Sequence, residues 1–241
     1  MLDINEEGLQ TAKKFLLDSF ANTDEQTTLK IETYYCDVSS PQSIVEAYAK
    51  ARSSFGRIDY SVHCAGIILF VGPSTEVPVE AFDRQNTINY RGLWLCSREA
   101  LKIMKEQPLD SEVYPDIKDT RAQRGAIVNI SSGLGLVSQA GSNAYSGAKA
   151  GVMALTRSDA IDYVADRIRV NAVLPGIVDT PITTPSPEIR AILEAGPVQR
   201  TPMKRFGLAE EIADVIVFLA STKASFVTGS CWSVDGGFLA C

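Results

Sequence analysis

Two stretches, GAIVNISS at 125–132 and IRVNAVLPG at 168–176, limit the possible folds more than any other part of the chain. A strand with one wet face alternates apolar and polar residues, whereas these runs carry apolar side chains at successive positions. They must therefore be covered on both faces. Three further strands are predicted, at 29–38 (LKIETYYCDV), 58–66 (IDYSVHCAG) and 229–237 (GSCWSVDGG). Helical patterns lie between them. Ser40 and Pro41 start a helix bearing Ile44, Val45, Ala47 and Tyr48, with the serine as cap and the proline in the first turn. Longer helices are expected at 81–104 and 143–165, and another at 209–220, where Ile212, Val215, Ile216 and Leu219 recur at helical spacing. Doubly apolar strands alternating with helices predict an α/β fold with a doubly wound parallel sheet. Two stretches break the alternation. Residues 106–124 are charged and read as a surface insertion, and 179–207 contains Pro181, Pro185, Pro187, Pro197 and Pro202. The second follows a strand's carboxyl end, where such folds close over ligands.

At 241 residues, 45% hydrophobic and 22% charged, the chain can bury one sizeable core, and residues 1–241 are taken as a single domain. A net charge of −6 disfavours nucleic acid and anionic lipid as partners. The longest apolar runs, such as VIVFLA, are too short to span a bilayer, and the acidic start is unlike a signal peptide; a cytoplasmic protein is expected. Five cysteines, Cys36, Cys64, Cys96, Cys231 and Cys241, form no CxxC pair, which fits reduced thiols and predicts no metal site.

The chemistry concentrates in NAYSGAKAG at 143–151. Tyr145 and Lys149 stand four apart and project from one helix face. A nearby ammonium favours phenolate over phenol, so Tyr145 is predicted to have a lowered pKa and to serve as a general acid or base. Such pairs are also common on exposed helices, and context decides between the two readings. Ser132 closes an apolar strand thirteen residues upstream of Tyr145, at the sheet edge where doubly wound folds place their sites. A hydroxyl there can hold a substrate oxygen while the tyrosine delivers a proton.

NISS, YSGAK, Asn89 within TINYRG, VLPGIVDT and a terminal VDGG together resemble the short-chain dehydrogenase/reductase family, over nearly the whole chain. The resemblance implies a Rossmann-like fold. It also implies a catalytic set of Ser132, Tyr145, Lys149 and Asn89, with a small-molecule alcohol or ketone as substrate. In this reading the serine orients the reacting oxygen and the tyrosine is the acid/base. The lysine lowers the tyrosine pKa and bonds the nicotinamide ribose, and the asparagine links the lysine to solvent through its helix backbone and a water.

The cofactor residues follow by resemblance. Asp37 matches the aspartate that receives the adenine amino group, with a strand-end cap as its other reading, and Val38 packs on the base. Ala65 and Gly66 match the small pair beside the adenosine ribose. Pro175, Gly176, Ile177 and Val178 shape the nicotinamide pocket, and Thr180 lies near its carboxamide. His63 departs from the usual asparagine and reads as a packed, hydrogen-bonded residue. Asp3 is either an N-terminal helix cap or the carboxylate on the ribose hydroxyls, which would select NAD over NADP.

In the family a strand, a glycine-rich turn and a helix precede that aspartate; here no TGxxxGxG or GxGxxG stands near the start. The expectation is therefore an N-terminally truncated domain whose first, central strand is missing. Three functions follow: an NAD(P)-dependent oxidoreductase on secondary alcohols, a catalytically silent remnant, or a non-redox dehydratase or isomerase using the same Ser-Tyr-Lys site. The overall texture is similar to reductases of fungal secondary metabolism. Family members are homodimers or homotetramers built on the helices at 81–104 and 143–165.

Overall fold

The architecture is that of a computed structural model, which describes residues 1–20, 29–69 and 71–240. At its centre lie β4 (Gly125–Ile130) and β5 (Ile168–Pro175), paired in parallel from Gly125 with Ile168 to Ile130 with Val173. Ala126, Ile127, Val128, Val170 and Val173 are wholly buried, as their unbroken apolar pattern requires. β3 (Tyr60–His63) pairs with β4 on one side and β6 (Cys231–Val234) with β5 on the other, so a four-stranded sheet runs β3-β4-β5-β6, all parallel. β1 (Leu2–Asp3) and β2 (Tyr34–Tyr35) form a separate two-stranded parallel sheet.

Helices cover both faces. On one face Ile44, Ala47 and Tyr48 of α2 (Pro41–Phe55) and Leu95, Ala100 and Met104 of α4 (Leu93–Glu106) pack with Ile127 and Val170. α5 (Asn143–Tyr163) joins that layer through Ala160. On the other face Ile212 and Leu219 of α8 (Ala209–Ala220) pack against Val128 and Val173. The doubly wound α/β layering predicted from the sequence is therefore what forms. α2 is capped as expected: Ser40 accepts from the Ser43 N–H, and Gly56, at φ 76°, ends the helix in the left-handed conformation that glycine adopts without penalty.

Several bounds differ from expectation. The strand expected at 29–38 contracts to Tyr34–Tyr35, which pair with Leu2 and Asp3. α1 (Glu6–Phe20) is capped by Asn5, whose Oδ1 accepts from the Gly8 N–H, and not by Asp3. The helix expected at 81–104 consists of α3 (Val79–Asn86), a π-helical turn over Thr87–Gly92, and α4. The proline-rich stretch is not irregular throughout: Pro187 opens α6 (Pro187–Ala195) and Pro197 opens α7 (Pro197–Arg200), the first-turn position where proline costs nothing.

Residues 106–124 are more than a surface insertion. Gln107, Asp110 and Gln123 are buried; the Asp110 carboxylate accepts from the Gln123 N–H, and the Gln107 amide bonds both the N–H and the carbonyl of Ile58. Arg169 extends the anchoring from β5. Its guanidinium donates to Gln123 Oε1 and to the carbonyls of Leu219, Ala220, Ser221 and Val227, so one buried cation holds the carboxyl end of α8. Among the described residues no helix is long and apolar enough to cross a membrane.

Candidate active site

Ser132 lies two residues beyond the end of β4, and its Oγ accepts from the Leu134 N–H at 3.2 Å as the cap of a short 3-10 turn over Gly133–Gly135. Its neighbour Ser131 is buried and donates to the Lys149 carbonyl at 2.7 Å, which ties the strand end to α5. Gly135 permits that contact, because a β-carbon there would stand 2.9 Å from the Lys149 carbonyl carbon. Ser132 is thereby held beside Tyr145 and Lys149, which lie one turn apart on α5.

Burial raises the Tyr145 pKa above its usual value, and the hydrogen bond with Ser132 works in the opposite direction. The lowering expected from Lys149 is not what this arrangement gives. The ammonium lies 5.7 Å from the Tyr145 ring centroid and donates instead to the Ile130 carbonyl at 2.8 Å. Lys149 is 5% exposed, and its burial brings its pKa down to about 8.

Asn89 is wholly buried in the π-helical turn. Its Oδ1 accepts from the Ile67 N–H and its Nδ2 donates to the Ile67 carbonyl, both at 2.8 Å. This two-bond clamp fixes the segment that follows Ala65 and Gly66. A β-carbon on Gly66 would stand 3.3 Å from Asn89 Oδ1 and 3.8 Å from Lys149 Nζ, so Gly66, Asn89 and Lys149 converge. The widened turn aims a single side chain at a neighbouring loop, a recurrent use of π-turns at functional sites.

Asp3, Asp37, Val38, Ala65, Gly66 and Thr180 line one cavity of about 980 Å³. Asp3 accepts from the Asn5 N–H, and with Asn5 capping α1 its carboxylate stands at the cavity wall. Asp37 accepts from the N–H and Oγ of Ser39, so the strand-end turn read as its other role is also present. Val38 packs on the π-turn, where a β-carbon on Gly92 would fall 2.7 Å from the Val38 carbonyl oxygen. Pro175, Gly176, Ile177 and Val178 are not in the cavity lining. They form the turn behind Thr180: Gly176 donates to the Val234 carbonyl, the Ile177 carbonyl accepts from Gly207, and Val178 is buried. A β-carbon on Gly176 would meet the Asp235 Cα at 2.7 Å, so this turn tolerates only glycine. An acidic wall at one end, small residues at the close approach, and a lysine beyond them fit the adenosine and nicotinamide ends of a dinucleotide.

Behind this wall lies a buried network that sequence reading reduced to one packed histidine. His63 Nδ1 bonds Asn129 Oδ1 at 2.8 Å, and its Nε2 faces the hydroxyls of Ser61 and Tyr48. Asn129 then donates to Thr156 on α5. Burial brings the His63 pKa down to about 4. The unfolded chain takes up this proton near pH 6.5 and the folded chain only near 4. Stability is therefore full above about 6.5 and falls as pH drops to 4, by about 3 kcal/mol for this group. Denaturant melts from pH 7 to 4 should show that loss in the wild type and a smaller one in His63→Asn. Ser131 and the Ile67 backbone were also missed: Ser131 stands within NISS, where only its neighbour Ser132 drew a role, and the Ile67 backbone carries no motif.

The family described as enoyl-(acyl carrier protein) reductase matches residues 9–239. Cis-4-hydroxycyclohexanecarboxylate dehydrogenase of Sinomonas cyclohexanicum is 42% identical over 205 residues, which cover 85% of this chain and 75% of that protein. Levodione reductase of Leifsonia aquatica is 34% identical over 98% of this chain and 83% of its own. The crystal structure of levodione reductase superposes with a TM-score of 0.86 at 32% identity, covering 100% of this chain and 87% of that one. Short-chain dehydrogenase srdC of Neurospora crassa is 35% identical over 86% of this chain and 76% of its own. The chain therefore belongs to the short-chain dehydrogenase/reductase family of oxidoreductases, which use nicotinamide cofactors on small-molecule alcohols and ketones.

Proposed function

We propose that the chain is an NAD-dependent oxidoreductase interconverting a secondary alcohol and a ketone. The observation that carries this reading is the meeting of Ser132, Tyr145 and Lys149 at the carboxyl end of β4, beside a cavity bounded by Asp3 and Gly66. When bound, the nicotinamide supplies or accepts the hydride at the substrate carbon. Ser132 donates to the substrate oxygen and fixes its direction. Tyr145 gives a proton to that oxygen during reduction and removes it during oxidation. Lys149 holds its charge next to the tyrosine and stabilises the phenolate left behind, and Asn89 holds the loop at Ile67 against which Lys149 is placed. Asp37, Val38, Ala65, Asn89, Tyr145, Lys149, Pro175, Gly176, Ile177, Val178 and Thr180 would complete the dinucleotide contacts.

The preference for NAD rests on Asp3, whose carboxylate would accept from ribose hydroxyls and repel a 2′-phosphate. The reading is tested by titrating both cofactors and following nicotinamide fluorescence. Saturable binding with NADH favoured about tenfold or more is expected, and Asp3→Ala should erase most of that preference. Equal binding of both cofactors by the wild type would refute the role of Asp3. The cyclohexane ring named in one relative's substrate supports a ring-bearing alcohol. Trp94 on α4 and Ile161 on α5 are 42% and 76% exposed, which supports pairing of copies through these helices. Free thiols at Cys36, Cys64, Cys96 and Cys231 support a reducing cytoplasm.

A further inference from the structure

Three segments that carry no proposed catalytic or cofactor role border Ser132 and Tyr145. The Leu136 and Val137 N–H groups both donate to the Gly133 carbonyl, so the chain folds back directly beside Ser132. Ser138 Oγ then donates at 3.2 Å to Oγ of Ser146, the residue after Tyr145. Leu136 and Val137 are thereby pinned between the two hydroxyl-bearing residues, yet they are 55% and 43% exposed. A second segment arrives from the loop after β3. The Gly72 N–H donates to the Gly141 carbonyl, Asn143 Nδ2 donates to the Gly72 carbonyl, and a β-carbon on Gly141 would fall 2.9 Å from Val71 Cγ1. Val71, 60% exposed, is so held against the residues that lead into Tyr145. The third is the 3-10 turn over Phe238–Ala240, which lies on the Ser132 turn: a β-carbon on Gly133 would stand 3.5 Å from Phe238 Cδ1 and 3.7 Å from Leu239 Cδ1.

This rim is apolar and offers no cation. Residues 131–144 contain no charged side chain, and residues 67–78 contain only Glu76. Lys149 is buried and bonded to the Ile130 carbonyl. In the stretch 179–207, Arg190 is paired with Asp179, Arg205 is paired with Glu211, and Lys204 donates to the Gln199 carbonyl. Arg200, at the end of α7, is the cation that remains there. We propose that the substrate is an uncharged ketone or alcohol whose reacting carbon sits in an apolar ring or alkyl body, and that Leu136, Val137 and Val71 set this choice. The inference rests on the oxidoreductase reading and narrows it. Exposed apolar side chains held around two hydroxyls have the make-up of a small-molecule site, with apolar walls and few polar groups. A substrate carboxylate would leave water here for walls with no cation to receive it, and the net charge of −6 adds to the repulsion.

The test measures initial rates of the 241-residue chain with NADH on 4-oxocyclohexanecarboxylate, its methyl ester and 4-tert-butylcyclohexanone. Acid and ester share one ring and differ in charge. The ester and the tert-butyl ketone should each show kcat/KM about tenfold or more above that of the acid. Leu136→Arg, checked for folding by circular dichroism, should narrow the gap between acid and ester by about fivefold or more and raise KM for the tert-butyl ketone. A wild-type gap below about tenfold would overturn this inference and leave the oxidoreductase reading standing. So would an acid preferred over its ester, with the preference lost in Arg200→Ala, which would assign a carboxylate site to that arginine. A folded Leu136→Arg protein with the wild-type gap would overturn the role of Leu136. Turnover of none of the three ketones with NADH or NADPH would overturn the reading and the inference together.

Discussion

Tyr145→Phe should lower turnover about a thousandfold while leaving cofactor affinity within twofold of the wild type. The substitution removes one oxygen and almost no volume, so α5 should stay folded and Lys149 should keep its bond to the Ile130 carbonyl. On the proposed mechanism, what is lost is the proton exchanged with the substrate oxygen. Ser132→Ala would be the milder change, since it removes an orienting donor but leaves the acid in place. Its loss should also raise the Tyr145 pKa further, because the Ser132 hydrogen bond is what opposes burial there. Steady-state rates and fluorescence titration on the same preparations separate the two effects. A Tyr145→Phe protein retaining full turnover would remove the tyrosine from the mechanism.

The second large effect is structural and lies away from the site. Arg169→Met keeps a long apolar stem but takes the guanidinium away from four carbonyls: Val227 keeps its bond from Asn171 and Ala220 a longer one from Gln123, while Leu219 and Ser221 lose their side-chain donor. Each buried carbonyl left unsatisfied costs about 1–3 kcal/mol, and local relaxation lets water reach some of them. A net loss of at least about 3 kcal/mol is expected, which corresponds to roughly 10 °C in thermal midpoint for a domain of this size. Arg169→Lys should recover only part of this, because an ammonium cannot span the same set of acceptors. Calorimetry that found either variant within 2 °C of the wild type would show that the arginine is not the anchor of α8.

How much of this could be read in the sequence differs between the two halves of the molecule. β4, β5 and α8 were legible because each is long, doubly apolar or strongly periodic, and burial alone determines such segments. The same holds for Ser132, Tyr145 and Lys149, whose spacing along strand and helix brings them together once the fold forms. β2 is shorter than its apolar pattern suggests, because a strand is defined by pairing and only Tyr34 and Tyr35 pair, with Leu2 and Asp3. The π-turn around Asn89 was invisible, since its register depends on a hydrogen-bond pair with Ile67, far away in sequence. Pro187 and Pro197 were read as breakers, yet each stands where a helix begins. Gln107, Asp110 and Gln123 lie in a stretch whose charge suggests an exposed insertion, and only the bonds they make to backbone show that they are buried.

The site also corrects a simple electrostatic expectation. A lysine one turn from a tyrosine does not by proximity alone lower the phenol's pKa. Here burial outweighs it, and the ammonium is held by a carbonyl at the end of β4.

The central claim is that these residues serve a redox reaction, and deuterium transfer tests it most directly. NADH bearing deuterium at the transferring C4 position, incubated with the enzyme and a cyclohexanone, should give an alcohol one mass unit heavier, with the label on the carbinol carbon. Tyr145→Phe should give almost none. Product formed without label, or no labelled alcohol from any ketone tried, would contradict the account.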